Sequence, residues 1–377
     1  MAKQADGRRR RTGSLVALAV GAVAVWAARE IPGAMGARAI GDRAAGKRRE
    51  RVRRSPQFAD GRFHNTVPAS PATAASAPRL LAAAVANRDR RHPSAPIPVV
   101  TPDTGGDPDG LHITWYGHSS ALIEIDGHRV LVDPVWSERC SPSRLVGPKR
   151  MHEPPVPLRS LPPLDAVLIS HDHYDHLDAD TIRNLADLQA AQFLVPLGVG
   201  AHLQSWGVPA TRIVELDWDE TATVAGVTFV ATAARHFSGR GFTRDETLWA
   251  SWVIAGPTRR VFYSGDTGYF PGFAQIGETH GPFDATLVQI GAYGDAWPDI
   301  HMVPEDGVAT HLDVRGGLMV PVHWCTFNLA LHDWAEPADR VWSEAKARDV
   351  RLAVPRPGER VDVEDPPAVD GWWQAIA

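Results

Sequence analysis

The part of the chain that follows residue 109 is predicted to have an α/β fold. Two observations lead to this prediction. Short apolar runs with strand character alternate with helical segments, and this spacing packs helices on a sheet. Polar side chains that carry chemistry recur directly after the apolar runs, at the sheet edge where α/β proteins assemble ligand sites.

The predicted sheet begins with three consecutive strands. Asp126-Gly127 joins the second and third, and this dipeptide is typical of a β-hairpin. An irregular stretch rich in Pro, Ser and Arg, residues 134–163, then leads into a buried strand. Strands are predicted at 111–115, 121–125, 129–133, 166–169, 193–195, 212–216, 227–232, 248–254, 260–264, 285–289, 318–321 and 351–354, and helices at 181–188, 199–206, 304–312 and 337–348.

The densest group of reactive side chains is the sequence HDHYDH at residues 171–176. Imidazoles and carboxylates are costly to bury unless something binds them, and together they form the ligand set of zinc-like divalent cations. A solvated turn is the alternative interpretation. The strand that runs straight into the cluster favours a metal site, because a solvated loop needs no such rigid support.

These six residues cannot complete a metal site. One metal takes about four ligands, and two metals need about seven with one of them shared. Downstream, His236, Asp266 and His323 each follow a short apolar run. Taken singly, such a histidine is more often a loop residue, and the Gly-Asp-Thr-Gly sequence around Asp266 is typical of a turn.

Together these residues resemble the metallo-β-lactamase fold hydrolases, which share a His-x-His-x-Asp-His cluster followed by single ligands on later strands. The resemblance is closer to the branch that contains N-acylphosphatidylethanolamine-hydrolysing phospholipase D. It extends from about residue 110 to 360, with a short further match at Ser55-Pro56-Gln57-Phe58. The motifs that carry it are Thr114-Trp115-Tyr116-Gly117-His118, Ser141-Pro142-Ser143, Gly147-Pro148-Lys149-Arg150, Leu161-Pro162-Pro163, Glu215-Leu216-Asp217-Trp218, Leu248-Trp249-Ala250-Ser251-Trp252, Gly265-Asp266-Thr267-Gly268-Tyr269, Gly281-Pro282-Phe283-Asp284, Ile290-Gly291-Ala292-Tyr293, and His301 before Pro304-Glu305.

The resemblance implies a four-layer αββα sandwich with the site at one edge of its two sheets. It also implies two zinc ions per chain, although other divalent metals suit the same ligands. Asp266 would bridge the two ions, and Asp133 would steady the metal loop, unless it is simply a turn residue at a strand end. His301 would contact the substrate, with His301 or Asp175 assisting proton transfer. The remaining implied ligands are His171, His173 and His236 for one ion, and Asp175, His176 and His323 for the other.

The implied activity is hydrolysis of a phosphodiester by a phospholipase D-type reaction, on an N-acylated phospholipid or a similar lipid. Two divalent cations lower the pKa of a water towards about 7 and neutralise charge on the attacked centre. Because such a pair also polarises a carbonyl, hydrolysis of a lactone, an ester or a β-lactam is the alternative. A non-catalytic metal-binding protein is disfavoured, because every implied ligand position is filled.

The first 30 residues are predicted to be a membrane anchor. Residues 14–28 carry no charge, and this run lies between the core of a signal peptide, about 7 to 15 residues, and a membrane span of about 20. A signal peptide is the alternative, but no clear small-x-small cleavage site directly follows the run. Residues 31–109 are predicted to be a basic, Pro/Ala-rich linker or arm, and residues 110–377 the hydrolase domain. The predicted location is the membrane, on a side that basic residues at both ends of the run leave open.

Charge divides the chain in two. Residues 1–109 hold 19 Lys/Arg against 9 Asp/Glu, whereas residues 110–377 hold 20 against 35. The acidic part disfavours a nucleic-acid partner, which needs a basic surface. The basic part either lies on anionic headgroups or is a solvated linker. The oligomeric state is not predicted.

The two cysteines, Cys140 and Cys325, cannot build a disulfide framework or a four-thiolate metal site. In the family that the chain resembles, a glycine usually stands at the position of Cys325. Because Cys325 is two residues from His323, the two side chains would share one face of a strand. A structural role for Cys325 is favoured over metal binding.

Overall fold

The computed structural model describes residues 37–69, 88–103, 105, 108–241 and 243–377. The predicted anchor at residues 1–30 lies outside the described residues. Beyond residue 109, the described chain forms two seven-stranded mixed sheets together with α-helices. The predicted α/β fold with two sheets is therefore confirmed. Among the described residues, no helix combines the length and the apolar character that crossing a membrane requires.

The helices and strands are named in chain order. The strands are β1 (Phe58–Ala59), β2 (Arg62–Phe63), β3 (Leu111–Gly117), β4 (Ser120–Ile125), β5 (His128–Val132), β6 (Ala166–Leu168), β7 (Gln192–Pro196), β8 (Ile213–Leu216), β9 (Thr221–Val224), β10 (Val227–Thr232), β11 (Ser251–Ala255), β12 (Arg260–Tyr263), β13 (Phe283–Gln289), β14 (Gly316–Val322), β15 (Arg351–Leu352) and β16 (Arg360–Asp362). The α-helices are α1 (Ala37–Ile40), α2 (Gly46–Arg54), α3 (Ala179–Leu188), α4 (Gly200–Ser205), α5 (Gly272–His280), α6 (Pro304–Asp313) and α7 (Glu336–Ala347).

The two sheets follow the same pattern. The first has the order β16-β3-β4-β5-β6-β7-β8, antiparallel from β16 to β5 and parallel from β5 to β8. The second has the order β15-β14-β13-β12-β11-β10-β9, antiparallel from β9 to β12 and parallel from β12 to β15. In the first sheet, β3, β5 and β6 therefore end at the same edge. In the second, β10, β12 and β14 do so.

The first sheet is buried on both faces because its side chains alternate between two cores. Ile123 packs in the core that also contains Phe229 of the second sheet. Its neighbour Leu122 packs in a separate core with Ile182 and Leu185 of α3. This period of two is the strand geometry, and it places the second sheet on one face and helices on the other.

Residues 37–69, part of the predicted linker or arm, pack against the hydrolase domain and are called the arm below. Val52 of α2 and Phe63 of β2 are buried in the core that the two sheets share. Arg48 forms an ion pair with Glu215, 2.5 Å between Nε and Oε2, at the end of the first sheet. The arm is thus part of the folded domain.

Beyond residue 109, the sequence analysis missed α5, β9 and β16. Glycine disfavours a helix, and α5 contains two glycines. The packing requires one of them, because a Cβ on Gly277 would lie 2.2 Å from the backbone oxygen of Asp313. β9 and β16 are short strands at the ends of their sheets, where few apolar residues mark them.

Candidate metal centre

The predicted ligands converge where strands of both sheets end. In the first sheet, Asp133 follows β5 and residues 171–176 lie just beyond β6. In the second sheet, Asp266 follows β12 and His323 follows β14. His236 reaches the same place from the irregular segment after β10. Strand direction thus makes neighbours of side chains that are far apart in the sequence.

Four side chains form the first cluster: His171, His173, His236 and Asp266. Nδ1 of His173 lies 2.8 Å from Nε2 of His171 and 3.2 Å from Nε2 of His236. Oδ2 of Asp266 lies 3.8 Å from Nε2 of both His171 and His236. Three ring nitrogens and one carboxylate oxygen therefore face a common point, which is the donor set of a divalent cation site.

Four side chains form the second cluster: His118, Asp175, His176 and His323. Its centre is Oδ2 of Asp175, which lies 3.0 Å from Nε2 of His118, 3.5 Å from Nε2 of His176 and 3.3 Å from Nε2 of His323. The three imidazoles are buried, whereas 15% of the Asp175 side chain is exposed. Solvent therefore reaches this cluster through Asp175.

Asp266 joins the two clusters through one oxygen. In addition to its contacts in the first cluster, Oδ2 lies 3.1 Å from Nε2 of His176 and 3.0 Å from Nε2 of His323. The other oxygen, Oδ1, is buried and has no hydrogen-bond partner among the described residues. A carboxylate shared in this way has the position of a bridging ligand between two metals.

The spacing and the unpaired atoms of the clusters fit divalent metals. Ligands held about 2.0–2.1 Å from a tetrahedral zinc ion lie about 3.3 Å from one another. The separations above run from 2.8 to 3.8 Å. Nε2 of His176 and Nε2 of His323 are buried without a hydrogen-bond partner in the described part of the chain. Buried polar atoms are normally paired, and metal coordination would supply the missing partner.

Asp133 supports the metal loop from the side away from the metals. Its Oδ2 accepts a hydrogen bond from Nδ1 of His176 at 2.6 Å, and its Oδ1 accepts one from the backbone N–H of Ser170 at 2.7 Å. The hydroxyls of Ser170 and Tyr263 also donate to this carboxylate. His176 therefore carries its proton on Nδ1 and presents Nε2 to the second cluster. These contacts are the ones expected of the support residue that the resemblance implies.

The histidines of the first cluster are oriented by neutral acceptors. Nδ1 of His236 donates to the backbone carbonyl of Ile300 at 3.1 Å. Nδ1 of His171 lies 2.9 Å from the hydroxyl of Ser170, which gives its own proton to Asp133 and so accepts from the ring. A carbonyl can only accept, so the Nε2 atom of His236 is free to bind a metal.

The pKa values of the site's histidines shift in different directions: burial lowers the pKa of His118 in the second cluster to about 3, whereas two of its neighbours shift upwards. Burial lowers the pKa of His171 and of His236 well below the usual value. At the other two rings of the second cluster burial acts in the same direction, but the carboxylates around them, Asp266 foremost, outweigh it. They raise the pKa of His176 well above the usual value and that of His323 to about 9.

All seven predicted ligands belong to the two clusters. His301, predicted to contact the substrate, lies beside them: its Nδ1 is 3.9 Å from Oδ2 of Asp266, and 15% of its side chain is exposed. Cys325 is buried and joins neither cluster. The seven are His171, His173, Asp175, His176, His236, Asp266 and His323.

The sequence analysis missed His118 as a member of the site and noted it only as the end of a motif. Its backbone carbonyl accepts hydrogen bonds from the N–H of His323, at 2.9 Å, and from the indole of Trp115, at 2.8 Å. Its side chain contacts Asp175. The available signal was its position, because His118 follows an apolar strand just as Asp266 and His323 do.

Asp172, although it lies within the HDHYDH sequence, is not in either cluster. Its carboxylate accepts hydrogen bonds from the N–H of Gly239, at 2.7 Å, and from the hydroxyl of Thr247, at 2.9 Å. The buried guanidinium of Arg240 donates to the backbone carbonyls of Asp172 and Leu177, at 2.6 and 2.7 Å. These bonds fix both ends of the metal loop against Gly239, Arg240 and Thr247.

The comparisons with known proteins agree with this site. A family model described as the β-lactamase superfamily domain matches residues 128–324, just over half of the chain. The chain belongs to this superfamily of metallo-hydrolases, and it is a metal-dependent hydrolase in which His and Asp side chains are gathered at the sheet edge.

Two relatives place the chain more closely within the superfamily. The uncharacterised protein Rv0906 of Mycobacterium tuberculosis is 53% identical over 95% of this chain and 96% of its own length. The N-acyl-phosphatidylethanolamine-hydrolyzing phospholipase D 1 of Caenorhabditis elegans is 34% identical over 67% of this chain and 75% of its own length. The resemblance to that branch is therefore confirmed.

A solved structure shows the same fold. Igni18, described as a novel metallo hydrolase from the archaeon Ignicoccus hospitalis, matches 67% of this chain and 97% of its own chain with a TM-score of 0.51. The two sequences are 24% identical, so this match supports the fold alone.

Proposed function

We propose that the protein is a binuclear, zinc-dependent phosphodiesterase of phospholipase D type that acts on an N-acylated phospholipid or a similar lipid. The observation that carries this proposal is the position of Asp266, whose Oδ2 contacts histidines of both clusters. A metal pair held by these residues would supply Lewis acidity for a displacement at phosphorus. The substrate class is proposed from the similarity to the Caenorhabditis elegans enzyme.

The substrate is expected to approach where side chains of the site remain accessible. Asp175 and His301 are each 15% exposed, whereas the rings of His171, His176 and His236 are buried. The scissile bond would therefore lie between Asp175 and His301. The buried histidines would hold the metals and exclude water from around them.

Asp175 is positioned to move a proton, and His301 to donate a hydrogen bond. Nε2 of His118 donates to Oδ2 of Asp175 at 3.0 Å and keeps that carboxylate turned towards the centre. Burial lowers the pKa of His301 to about 3, so its ring is neutral at pH 7 and can donate a hydrogen bond from one nitrogen. In the proposed reaction water would attack phosphorus while the bond from phosphorus to the N-acylethanolamine oxygen breaks. Asp175 would take the proton of the water and pass it to that leaving oxygen, and His301 would donate a hydrogen bond to an oxygen of the phosphoryl group.

The test combines metal analysis with a panel of substrates. The full-length chain, loaded with zinc, is offered an N-acylated phosphatidylethanolamine, bis(4-nitrophenyl) phosphate, a lactone, an aryl ester and a β-lactam. The proposal expects two metals per chain and release of phosphatidic acid from the lipid. Two metals per chain with turnover only of the lactone, ester or β-lactam would support the metal centre but overturn the proposed phosphodiesterase activity.

A matched pair of variants tests the proposed part of His301. His301→Gln should lower kcat on the lipid by about 10²–10³-fold, as expected when a hydrogen-bond donor to the transition state is lost, while both metals stay bound. His280→Gln, at the end of α5, is the control and should behave like the wild type. Unchanged kcat in His301→Gln would remove His301 from the proposed reaction.

We also propose that residues 1–30 attach the protein to the membrane on which its substrate lies. The apolar run between basic residues supports this part of the proposal. The test is sedimentation with anionic phospholipid vesicles. The full-length chain should pellet with the vesicles, and a chain that starts at residue 31, which keeps the whole arm, should stay in the supernatant.

A further inference from the structure

One side chain of the arm pairs with the backbone of a predicted metal ligand. Nδ2 of Asn65 donates to the carbonyl of His236 at 2.8 Å, and Oδ1 of Asn65 accepts from the N–H of His236 at 3.0 Å. The same Oδ1 also accepts from the indole of Trp249 at 3.0 Å. One amide thus satisfies both backbone groups of His236, as a neighbouring strand would.

His236 depends on this pairing because it lies outside the strands. β10 ends at Thr232 and β11 begins at Ser251, so no sheet ladder holds the backbone at His236. Its ring is oriented through Nδ1 by the carbonyl of Ile300. The backbone of Arg235, just before it, bonds to Thr267 and Gly268, and Asn65 adds the bonds to the backbone groups of His236 itself. By contrast, the backbone N–H of His323 bonds within the domain, to His118.

The arm holds Asn65 in place from both sides. Before it, the backbone N–H of Phe63 donates to the carbonyl of Asp245 at 2.7 Å, and the Phe63 side chain is fully buried. After it, the guanidinium of Arg235 donates to the carbonyl of Pro68 at 2.6 Å. Both partners, Asp245 and Arg235, lie in the segment between β10 and β11 that also carries His236.

We infer that Asn65 is a positioning residue for the first metal cluster, so that the arm completes a site whose ligands all lie in the hydrolase domain. Asn65 lies more than sixty residues ahead of the part of the chain that the superfamily model matches. The inference rests on the metal centre of the proposed function and is independent of the substrate. Removing the amide leaves two buried backbone groups of His236 without partners, which frees the ligand to move.

The experiment measures the two metal affinities separately. Full-length wild type, Asn65→Ala and the isosteric Asn65→Asp are stripped with a chelator and titrated with Zn²⁺ and with Co²⁺ against a competing chelator. In both variants we expect one of the two affinities to fall by about 10–100-fold, the range found when a residue that supports a metal ligand is lost. The other affinity should stay within about twofold of the wild type.

Two controls separate positioning from general destabilisation. Trp249→Phe removes the indole that also bonds Oδ1 of Asn65 and disturbs the same buried region, but it leaves the bonds to His236. Arg51→Ala removes an exposed arm contact with Glu220. Both control variants should keep two wild-type metal affinities, even where the thermal midpoint falls. Equal loss at both sites in the Asn65 variants, in step with a lower midpoint, would overturn the inference.

A double-mutant comparison identifies the affected cluster. Asn65→Ala added to His236→Ala should change the remaining affinity little, because the ligand that Asn65 positions is already gone. Added to His176→Ala, it should weaken the remaining site as strongly as it does in the wild type. Wild-type affinities in Asn65→Ala would overturn the inference and leave the proposed function standing. Normal metal binding with the expected Asn65 effect, but no cleavage of phosphodiesters, would support the inference and overturn the function.

Discussion

The two candidate metal clusters share a carboxylate oxygen but are built differently. In the first, the rings of His171 and His236 are oriented by a hydroxyl and a backbone carbonyl, and burial keeps them neutral. In the second, the rings lie against carboxylates, with Asp175 among them and Asp133 behind. The first cluster is thus a nearly neutral nitrogen site apart from Asp266, whereas the second is rich in negative charge.

This difference separates two ways of preparing a metal site. A neutral nitrogen site presents lone pairs at once, but its affinity depends on how exactly the rings are placed. A carboxylate-rich site attracts a cation by charge, but before a metal binds, its histidines hold protons that the metal must displace. The first cluster should therefore respond most to changes in positioning, and the second to pH.

Removing the shared ligand should have the largest effect, because it abolishes the common part of both clusters. Asp266→Ala should lower kcat/KM by about 10³-fold or more, which corresponds to the several kcal/mol that metal assistance supplies. Metal analysis should find less than one ion per chain, with unchanged circular dichroism. Asp187→Ala, an exposed aspartate on α3, is the control. Two tightly bound ions in Asp266→Ala would show that the clusters do not share this ligand.

Removing one ligand from each cluster should separate the two sites. His236→Ala and His176→Ala should each reduce the metal content from two ions to one, and each should lower kcat/KM by about 10²–10³-fold. The cluster that keeps its ion should differ between the two variants. The Co²⁺ absorption spectra of the two variants should therefore add up to the wild-type spectrum. Loss of both ions in each variant would mean that the clusters form one inseparable site.

Weakening the support of the second cluster should have a smaller effect. Asp133→Asn keeps the size of the side chain but removes the charge that His176 and the Ser170 hydroxyl contact. The affinity of the second cluster should fall by about 10–100-fold. The first cluster should lose less, because His171 reaches Asp133 only through Ser170. Chelator competition measures both, and an equal loss at the two sites would contradict the assignment of Asp133 to His176.

The pH dependence of metal binding should show the finest difference. Because the pKa of His323 is raised to about 9 and that of His176 also lies well above its usual value, both rings are protonated at pH 7 before metal binds. The second cluster should therefore gain about tenfold in affinity per pH unit for each proton displaced, up to about pH 9. The first cluster, with neutral rings, should be nearly flat over pH 7–9. Calorimetry in buffers of different ionisation enthalpy counts the protons released, and release from neither site would contradict the sign of these shifts.

The seven predicted ligands meet in the two clusters, and the sequence could indicate them because each follows an apolar run and the set has a familiar spacing; metal binding by them stays a prediction. Asp266 and His323 are ordinary turn or loop residues when taken singly, and only their place in the whole set indicates a ligand site. Asn65 could not be found in this way. It is separated from His236 by 171 positions, and no local pattern distinguishes it from the other asparagines of the chain.

The fold was predicted less completely at its margins than at its centre. Strands such as β10, which runs from 227 to 232 as predicted, contain enough apolar side chains to be recognised from the sequence. Helix α5 could not be recognised from the sequence. Its Gly277 disfavours a helix, and it is required only because the end of α6 approaches closely. Tertiary contacts of this kind have no signature in a single segment of sequence.

The division of the ligands between the two sheets has a consequence for how the protein is made. The ribosome releases the ligands of the first sheet early, but Asp266 and His323 belong to the second half of the chain. A nascent chain therefore displays a histidine-rich loop long before it can enclose a cation. Correct metal capture must wait until both sheets have closed on each other, so that acquisition of the cofactor reports completed folding.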